Sequence, residues 1–285
     1  MALKDYNAII IKEIGSVIMS QKIGFIGCGN MGSAIILGGL KADVLHKKNL
    51  LVSEMNADKC QQLREVNHIR TCSNVEVVRA SDIIVLAIKP NMYEEVLNEI
   101  KTDFSDDKVL VSIGAGVSIN YLKQQLNNDD LKVVRVMPNT PALVSAGMSG
   151  LCPNNVDEKT FDYVRKIFDG LGKTVIVSET QMDAVTALSG SGPAYGFMFI
   201  DAMVESAIKM GLKPEDARIM AAQTLLGAAK MVLDSDVDVK QLKINVCSPG
   251  GTTIEAVEVF ENRGLYEIVD EAMQACAAKS AKISK

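Results

Sequence analysis

The sequence predicts an α/β amino-terminal domain, built on a doubly wound, mostly parallel sheet, joined to an all-α carboxy-terminal dimerisation domain. Three observations predict it. Between Lys22 and about Val177, short runs rich in Val and Ile alternate with polar stretches of helical spacing. A glycine-rich turn, Gly27-Cys28-Gly29-Asn30-Met31-Gly32, links the first run to the first helical stretch. After Ser178 no good strand candidate remains, and Ala and Met become frequent. A chain of 285 residues exceeds the usual domain of roughly 100–150, so two domains are the default.

The apolar runs are Ile23–Ile26, Leu50–Val52, Ile83–Ile88, Val109–Ile113, Val133–Val136 and Thr174–Val177. Short runs of this composition suit strands buried on both faces of a parallel sheet. Helical stretches lie between most of them: Met31–Lys41, Ala57–Val66, Met92–Ile100 and Glu158–Phe168. Repeated βα units of this kind wind a sheet on both sides. The sheet domain is assigned to residues 22–178 and the helical domain to 179–285. Residues 1–21 read as an appended extension, a short amphipathic surface arm, since the pattern starts at Lys22 and Met19-Ser20 would make a natural start.

In the helical half, Pro193 sits where a helix can begin and Gly211 where it can end. Between them Asp201, Glu205 and Lys209 form one narrow polar stripe, and Tyr195, Phe197, Met198, Phe199, Ile200, Met203, Val204 and Ile208 leave the rest apolar. Such a helix must be covered on most sides. Pro214 opens a second helix to about Leu233, with Glu215 and Asp216 in the turn where the dipole favours acids. Ala221, Ala222, Ala228 and Ala229 allow close helix approach, and helices over Ile254–Glu261 and Tyr266–Lys282 follow. The expectation is that a second subunit covers these faces; a self-sufficient bundle is the alternative.

Composition excludes several classes. A net charge of −5, with 48% apolar and 23% charged residues, excludes disorder and a polybasic nucleic-acid binder. The absence of Trp and an aromatic content of 5% disfavour a base-stacking surface. Apolar runs such as Ile83–Ile88 fall far short of the roughly 20 residues of a membrane span. Lys12 and Glu13 interrupt the apolar Ile9–Ile11 and no small-residue cleavage site follows, so no signal peptide is expected. Six scattered cysteines without CxxC spacing fit reduced thiols in the cytoplasm, and two histidines, His46 and His68, make no metal cluster. The expected partner is a small molecule, with neither nucleic acid, membrane nor metal.

The glycine-rich turn follows a strand and opens a helix, the context that a dinucleotide fingerprint requires. Gly27 permits the tight turn, Gly29 lets backbone approach a pyrophosphate, and Gly32 lets helix and strand pack closely. The helix amino terminus then offers amides and partial positive charge to phosphates. The expectation is a dinucleotide-binding domain of the Rossmann type, with Cys28, Asn30 and Met31 completing the cradle; an accidental glycine-rich turn is the alternative. Glu54, just past Val52-Ser53, is placed to accept ribose hydroxyls and repel a 2′-phosphate, which leans toward NAD(H). A solvated loop acid is the alternative, with Ser53, Asn56 and Lys59 close by. Beyond the carboxyl ends of later strands lie Ala87-Ile88-Lys89-Pro90 and Ser112-Ile113-Gly114-Ala115-Gly116. Lys89 falls beside the cofactor or on a structural turn. The small residues from Ser112, Gly114 and Ala115 onward admit the nicotinamide half. Pro138 and Pro141 stiffen a loop that fixes Asn139 and Thr140.

Two glycine-rich interruptions remain, Ser189-Gly190-Ser191-Gly192-Pro193 and Ser248-Pro249-Gly250-Gly251-Thr252-Thr253. Thr252 and Glu255 have capping-box spacing for a helix beginning near Ile254. The second reading is an anion site, with the amides of Gly251, Thr252 and Thr253 holding a small carboxylate beside the Thr253 hydroxyl.

Taken together, IGFIGCGNMG (Ile23–Gly32), AIKP (Ala87–Pro90), RVMPNTP (Arg135–Pro141), ALSGSGPAY (Ala187–Tyr195) and SPGGTT (Ser248–Thr253) resemble pyrroline-5-carboxylate reductase, from Lys22 to about Ser280. The resemblance implies reduction of (S)-1-pyrroline-5-carboxylate to L-proline with NADPH or NADH, the last step of proline biosynthesis. It implies a homodimer with interlocked helical domains, often five dimers in a decamer, and a substrate bound at the dimer interface. It also implies that Ser248, Gly250, Gly251, Thr252 and Thr253 hold the carboxylate. Thr253 matches the hydroxyl that bonds the ring nitrogen, Asn245 a position near the nicotinamide, and Asn74 one near the adenosine ribose. Glu54 and Cys247 depart from the family pattern, and the first 18 residues have no counterpart. GFIGCGNMG also resembles the start of β-hydroxyacid dehydrogenases, whose catalytic lysine has candidates in Lys209 and Lys230, neither in that family's motif. A non-catalytic redox sensor is a third reading, which the SPGGTT turn disfavours.

Overall fold

The computed structural model describes residues 21–284, so the proposed extension lies, but for its last residue, outside the described residues. Elements run β1 (Ile23–Ile26), α1 (Asn30–Lys41), β2 (Leu50–Ser53), α2 (Ala57–Glu65), β3 (Arg70–Thr71), α3 (Asn74–Ala80), β4 (Ile83–Leu86), α4 (Tyr93–Ile100), β5 (Val109–Ser112), α5 (Ile119–Leu126), β6 (Lys132–Met137), β7 (Gly147–Asn154), α6 (Glu158–Asp169) and β8 (Gly172–Ile176). The strand order is β3-β2-β1-β4-β5-β6-β7-β8. The pairs are parallel, with β6–β7 the antiparallel exception among the described residues. The chain winds outward from β1 to β3, then from β4 in the other direction. Between β1 and β4 the winding reverses, and ligands of such sheets bind beyond the carboxyl ends at that crevice.

Strand pleating sends alternate side chains to opposite faces. Ile23 and Phe25 of β1 join Ile35, Ile36, Val164 and Phe168 on one face. Ile26 joins Val77, Leu97 and Leu122 on the other. At Gly24 a Cβ would overlap Val77 and Ser81, so the absence of a side chain lets α3 lie flat on β1. Two strands were not foreseen. β3 has only two residues at the sheet edge, and β7 carries two glycines and Pro153 in place of a Val/Ile run. The run Ile83–Ile88 is strand only to Leu86; Ala87 and Ile88 leave the ladder and line the crevice.

Further along come α7 (Met182–Val185), a π-helical turn over Thr186–Gly190, α8 (Gly192–Lys209), α9 (Pro214–Leu233), α10 (Val239–Val246), α11 (Thr252–Asn262) and α12 (Leu265–Ile283). Ser191–Cys276 form one compact unit, and the remaining described residues, including the last turns of α12, form the other. In the helical unit α8 buries none of its residues within this chain. Phe197 is 65% and Met198 72% exposed. No helix among the described residues is long and apolar enough to cross a membrane.

Candidate active site

The turn after β1 is shaped by its three glycines. Gly27 has φ +91°, and a Cβ there would stand 2.6 Å from the Ala87 carbonyl oxygen. Gly32 is packed so closely that a Cβ would lie 2.8 Å from the Gly27 oxygen and 3.1 Å from the Ala87 Cβ. At Gly29 a Cβ would meet nothing within 4 Å. Gly29 is also the N-cap of α1, with no side-chain cap and no acid in the first turn. An uncapped helix amino terminus with open space beside residue 29 fits a pyrophosphate.

Two cavities flank this turn. One of 260 Å³ is lined by Gly27, Cys28, Gly29, Ser53, Glu54, Met55, Asn74, Ala87, Ile88 and Lys89, together with Ile26, Met92 and Val96. The other, of 480 Å³, is lined by Gly29, Asn30, Met31, Ala87, Ile88, Lys89, Pro90, Ile113, Gly114, Ala115, Met137 and Pro138. They share Gly29 and Ala87–Lys89, so one extended ligand can pass from one to the other across the glycine turn.

Glu54 is not a freely solvated acid. Its Oε2 accepts from the Cys28 amide at 2.8 Å and its Oε1 from the Asn56 amide at 2.9 Å. The carboxylate thereby braces the glycine turn. Lys59 donates to the Cys28 carbonyl at 3.2 Å and completes the brace. Burial pushes the Cys28 thiol pKa up, and its sulfur lies 3.3 Å from the Ser33 hydroxyl. Asn74 opens α3 and donates to Glu99 at 2.6 Å.

Ser112 ends β5 with its side chain fully buried, and it lines neither cavity. Its hydroxyl is 3.0 Å from that of Tyr93, a residue the sequence reading passed over as part of a helix. Asn139, 8% exposed, accepts from the Met148 amide at 2.9 Å and donates to the Ser189 carbonyl at 3.0 Å. It thus ties the loop after β6 to the π-helical turn.

In the helical unit, Ser248–Gly251 close a turn in which the Gly251 amide donates to the Ser248 carbonyl at 2.9 Å. Pro249 and Gly250, with Gly250 at φ +70°, occupy its corners as a type II turn demands. Two expectations are corrected here. The Gly251 amide is committed to the turn, which leaves the amides of Thr252 and Thr253 for an anion. The capping box of Thr252 and Glu255 does not form, because α11 starts at Thr252 with Gly251 as an N-cap lacking a side chain. Ser248 and Gly250 are exposed and Thr253 half-buried. Asn245, exposed on α10, accepts from Gln241 at 2.9 Å.

Residues 22–116 match the family model described as NADP oxidoreductase, coenzyme F420-dependent. Residues 179–283 match that of pyrroline-5-carboxylate reductase dimerisation, and the chain is accordingly a homo-oligomer. The pyrroline-5-carboxylate reductase of Escherichia coli K12 is 43% identical over 270 residues, 94% of this chain and 100% of that protein. The solved reductase from Coxiella burnetii superposes with a TM-score of 0.88 at 35% identity, covering 93% of this chain and 99% of its own. That from Plasmodium falciparum, solved with NADP bound, gives 0.83 at 36% identity over 93% and 99%. Likeness of this extent, over a chain that carries both the open glycine turn and the SPGGTT turn, shows that the chain belongs to the pyrroline-5-carboxylate reductase family.

Proposed function

We propose that the chain reduces (S)-1-pyrroline-5-carboxylate to L-proline with NAD(P)H, the last step of proline biosynthesis. The observation that carries the reading is the uncapped amino-terminal turn of α11, whose first two residues are Thr252 and Thr253, in a chain that also has an open dinucleotide cradle. Gly27–Gly32, Lys89 and the Gly114-Ala115 turn hold the dinucleotide, with Glu54 and Asn74 at its adenosine ribose and Asn245 near its nicotinamide. Ser248, Gly250, Gly251, Thr252 and Thr253 hold the substrate carboxylate, the last two through their amides. When bound, the reduced nicotinamide supplies a hydride for the imine carbon. The chain's own contribution is to align the two partners, worth on the order of 7–11 kcal/mol of the barrier when alignment is complete.

A carbonyl reductase must protonate a forming alkoxide and commonly recruits His, Lys or Tyr for it. An imine nitrogen is basic enough to take its proton before reduction. Thr253 therefore has only to hydrogen-bond and orient that nitrogen, and no histidine relay is needed. His46 and His68, the two histidines, lie outside every motif assigned here.

Glu54 favours NADH, since a 2′-phosphate would be brought against a carboxylate already fixed in the cleft. The assembly proposed is a dimer with interlocked helical domains, five dimers forming a decamer, working in the cytoplasm. Steady-state reduction of the imine with each nucleotide in turn tests the reading. Turnover with a preference for NADH is expected; no turnover with either would overturn it.

A further inference from the structure

We propose that Tyr93 is a positioning residue for the nicotinamide half of the cofactor, fixing the Gly114-Ala115 turn by way of one fully buried hydroxyl. The role rests on the dinucleotide reading above and names a residue that touches neither ligand.

Tyr93 is the first residue of α4 and is 0% exposed. Its hydroxyl lies 3.2 Å from the Leu86 carbonyl oxygen, 3.0 Å from the Ser112 hydroxyl and 2.9 Å from the Gly114 amide nitrogen. A phenol has one proton to donate and two lone pairs. The carbonyl can only accept and the amide can only donate. The assignment is therefore forced: Tyr93 donates to Leu86, accepts from Gly114, and accepts from Ser112 as well. Every hydrogen-bonding capacity of the hydroxyl is used.

These partners are the last residues of two neighbouring strands and the backbone just beyond them. Leu86 ends β4 and Ser112 ends β5, and the two stand opposite each other in the ladder. Past this pair the parallel pairing stops, and the Gly114 amide has no strand to bond. Tyr93 takes the place of the missing strand. The ring also fits the glycine: a Cβ at residue 114 would stand 2.7 Å from both Cζ and the hydroxyl oxygen. Gly114 and Ala115 in turn line the 480 Å³ cavity with Ala87, Ile88 and Pro90. Burial pushes the Tyr93 pKa up to about 12, so the donor stays protonated wherever the enzyme works.

Met92 and Val96, on either side of Tyr93, line the cavity on the adenosine side, but the groups that the Tyr93 hydroxyl clamps do not. None of Leu86, Ser112 and Gly114 lines the cavity that holds Glu54 and Asn74. Loss of the hydroxyl should therefore be felt by one half of the dinucleotide alone. The test is equilibrium binding to the intact oligomer, with NADH and with ADP-ribose, which lacks the nicotinamide. Tyr93→Phe keeps the ring and removes the clamp. It is expected to weaken NADH about tenfold, equivalent to about 1.4 kcal/mol, and to leave ADP-ribose within about twofold. Equal losses for NADH and ADP-ribose, or none for either, overturn the role. In the unmutated chain the Gly114 amide is expected to exchange with solvent deuterium as slowly as strand amides; open-loop exchange there also overturns it, whatever the variant does. Failure of the unmutated chain to bind either nucleotide would remove the dinucleotide reading and this role with it. Normal NADH binding by both chains would remove this role alone.

Discussion

In the proposed reaction Thr253 is the residue on which the chemistry concentrates. It is the second residue of α11, so its amide and its hydroxyl both belong to the uncapped first turn. Thr253→Ala is expected to lower kcat/KM ten- to a thousandfold, about 1.4–4 kcal/mol, with NADH affinity unchanged. Wild-type efficiency in that variant would sink the assigned role. Glu54 sets a second expectation. On the proposed reading, replacing it by Ser removes the charge that would face a 2′-phosphate but also frees the Cys28 amide, which should weaken either nucleotide. The ratio of kcat/KM for NADPH over NADH cancels the common loss and should rise about tenfold, about 1.4 kcal/mol. An unchanged ratio would show that Glu54 braces the turn without reading the ribose. The place of Glu54 was legible in the sequence, because an acid just beyond the second strand has a known use. Its grip on Cys28 was not, since the bond spans 26 residues and leaves no local pattern. Tyr93 gave no signal at all: an aromatic at a helix start reads as core, and only the sheet register brings its hydroxyl to Gly114.

Elements whose boundaries are written in short-range chemistry were legible. α9 begins at Pro214 and α6 follows Asp157, whose side chain accepts from the Thr160 amide at 2.9 Å. That N-cap carries a prediction. The Thr160 amide holds the Asp157 pKa below its ordinary 3.8. A depressed folded pKa stabilises the fold above the unfolded value and is lost as pH falls through the lower, folded one. Asp157→Ala should therefore cost about 1 kcal/mol near pH 7, by urea unfolding of the oligomer, and progressively less as pH drops below 3.8. Asp157→Asn keeps an acceptor and should flatten that dependence; a pH-independent loss in Asp157→Ala would contradict the assignment. Elements that depend on tertiary partners were not legible. β3 has two residues and exists because β2 offers an edge, and β7 survives two glycines because β6 and β8 hold it on either side. The start of α11 was misjudged by two residues because the Pro249-Gly250 turn delivers the chain directly into the helix, which makes Thr252 the first helical residue instead of the cap.

At the scale of the molecule, the two halves solve burial differently. The sheet unit closes its own core, with Phe25, Val52, Ile84 and Leu97 each 0% exposed. The helical unit does not. Phe199 packs on Phe260, with centroids 6.0 Å apart, so that side of α8 faces its own unit. Phe197 and Met198, on other sides, stay open, as do Met231 at 57% and Ile268 at 57%. Large apolar side chains exposed on this scale mark an interface, and the match to a dimerisation family model makes a second copy the expected cover. Phe197→Asp puts a charge where the partner should sit. Sedimentation of the unmutated chain at micromolar concentration should show no monomer, and the variant should sediment as a smaller species. If the substrate turn works only within the assembled pair, the variant should lose imine reduction yet keep NADH binding, because the glycine turn and its brace belong wholly to the sheet unit. A variant that sediments as the unmutated chain does would mean that this part of α8 lies outside the interface. One that dissociates and still turns over would mean that a single copy completes the site.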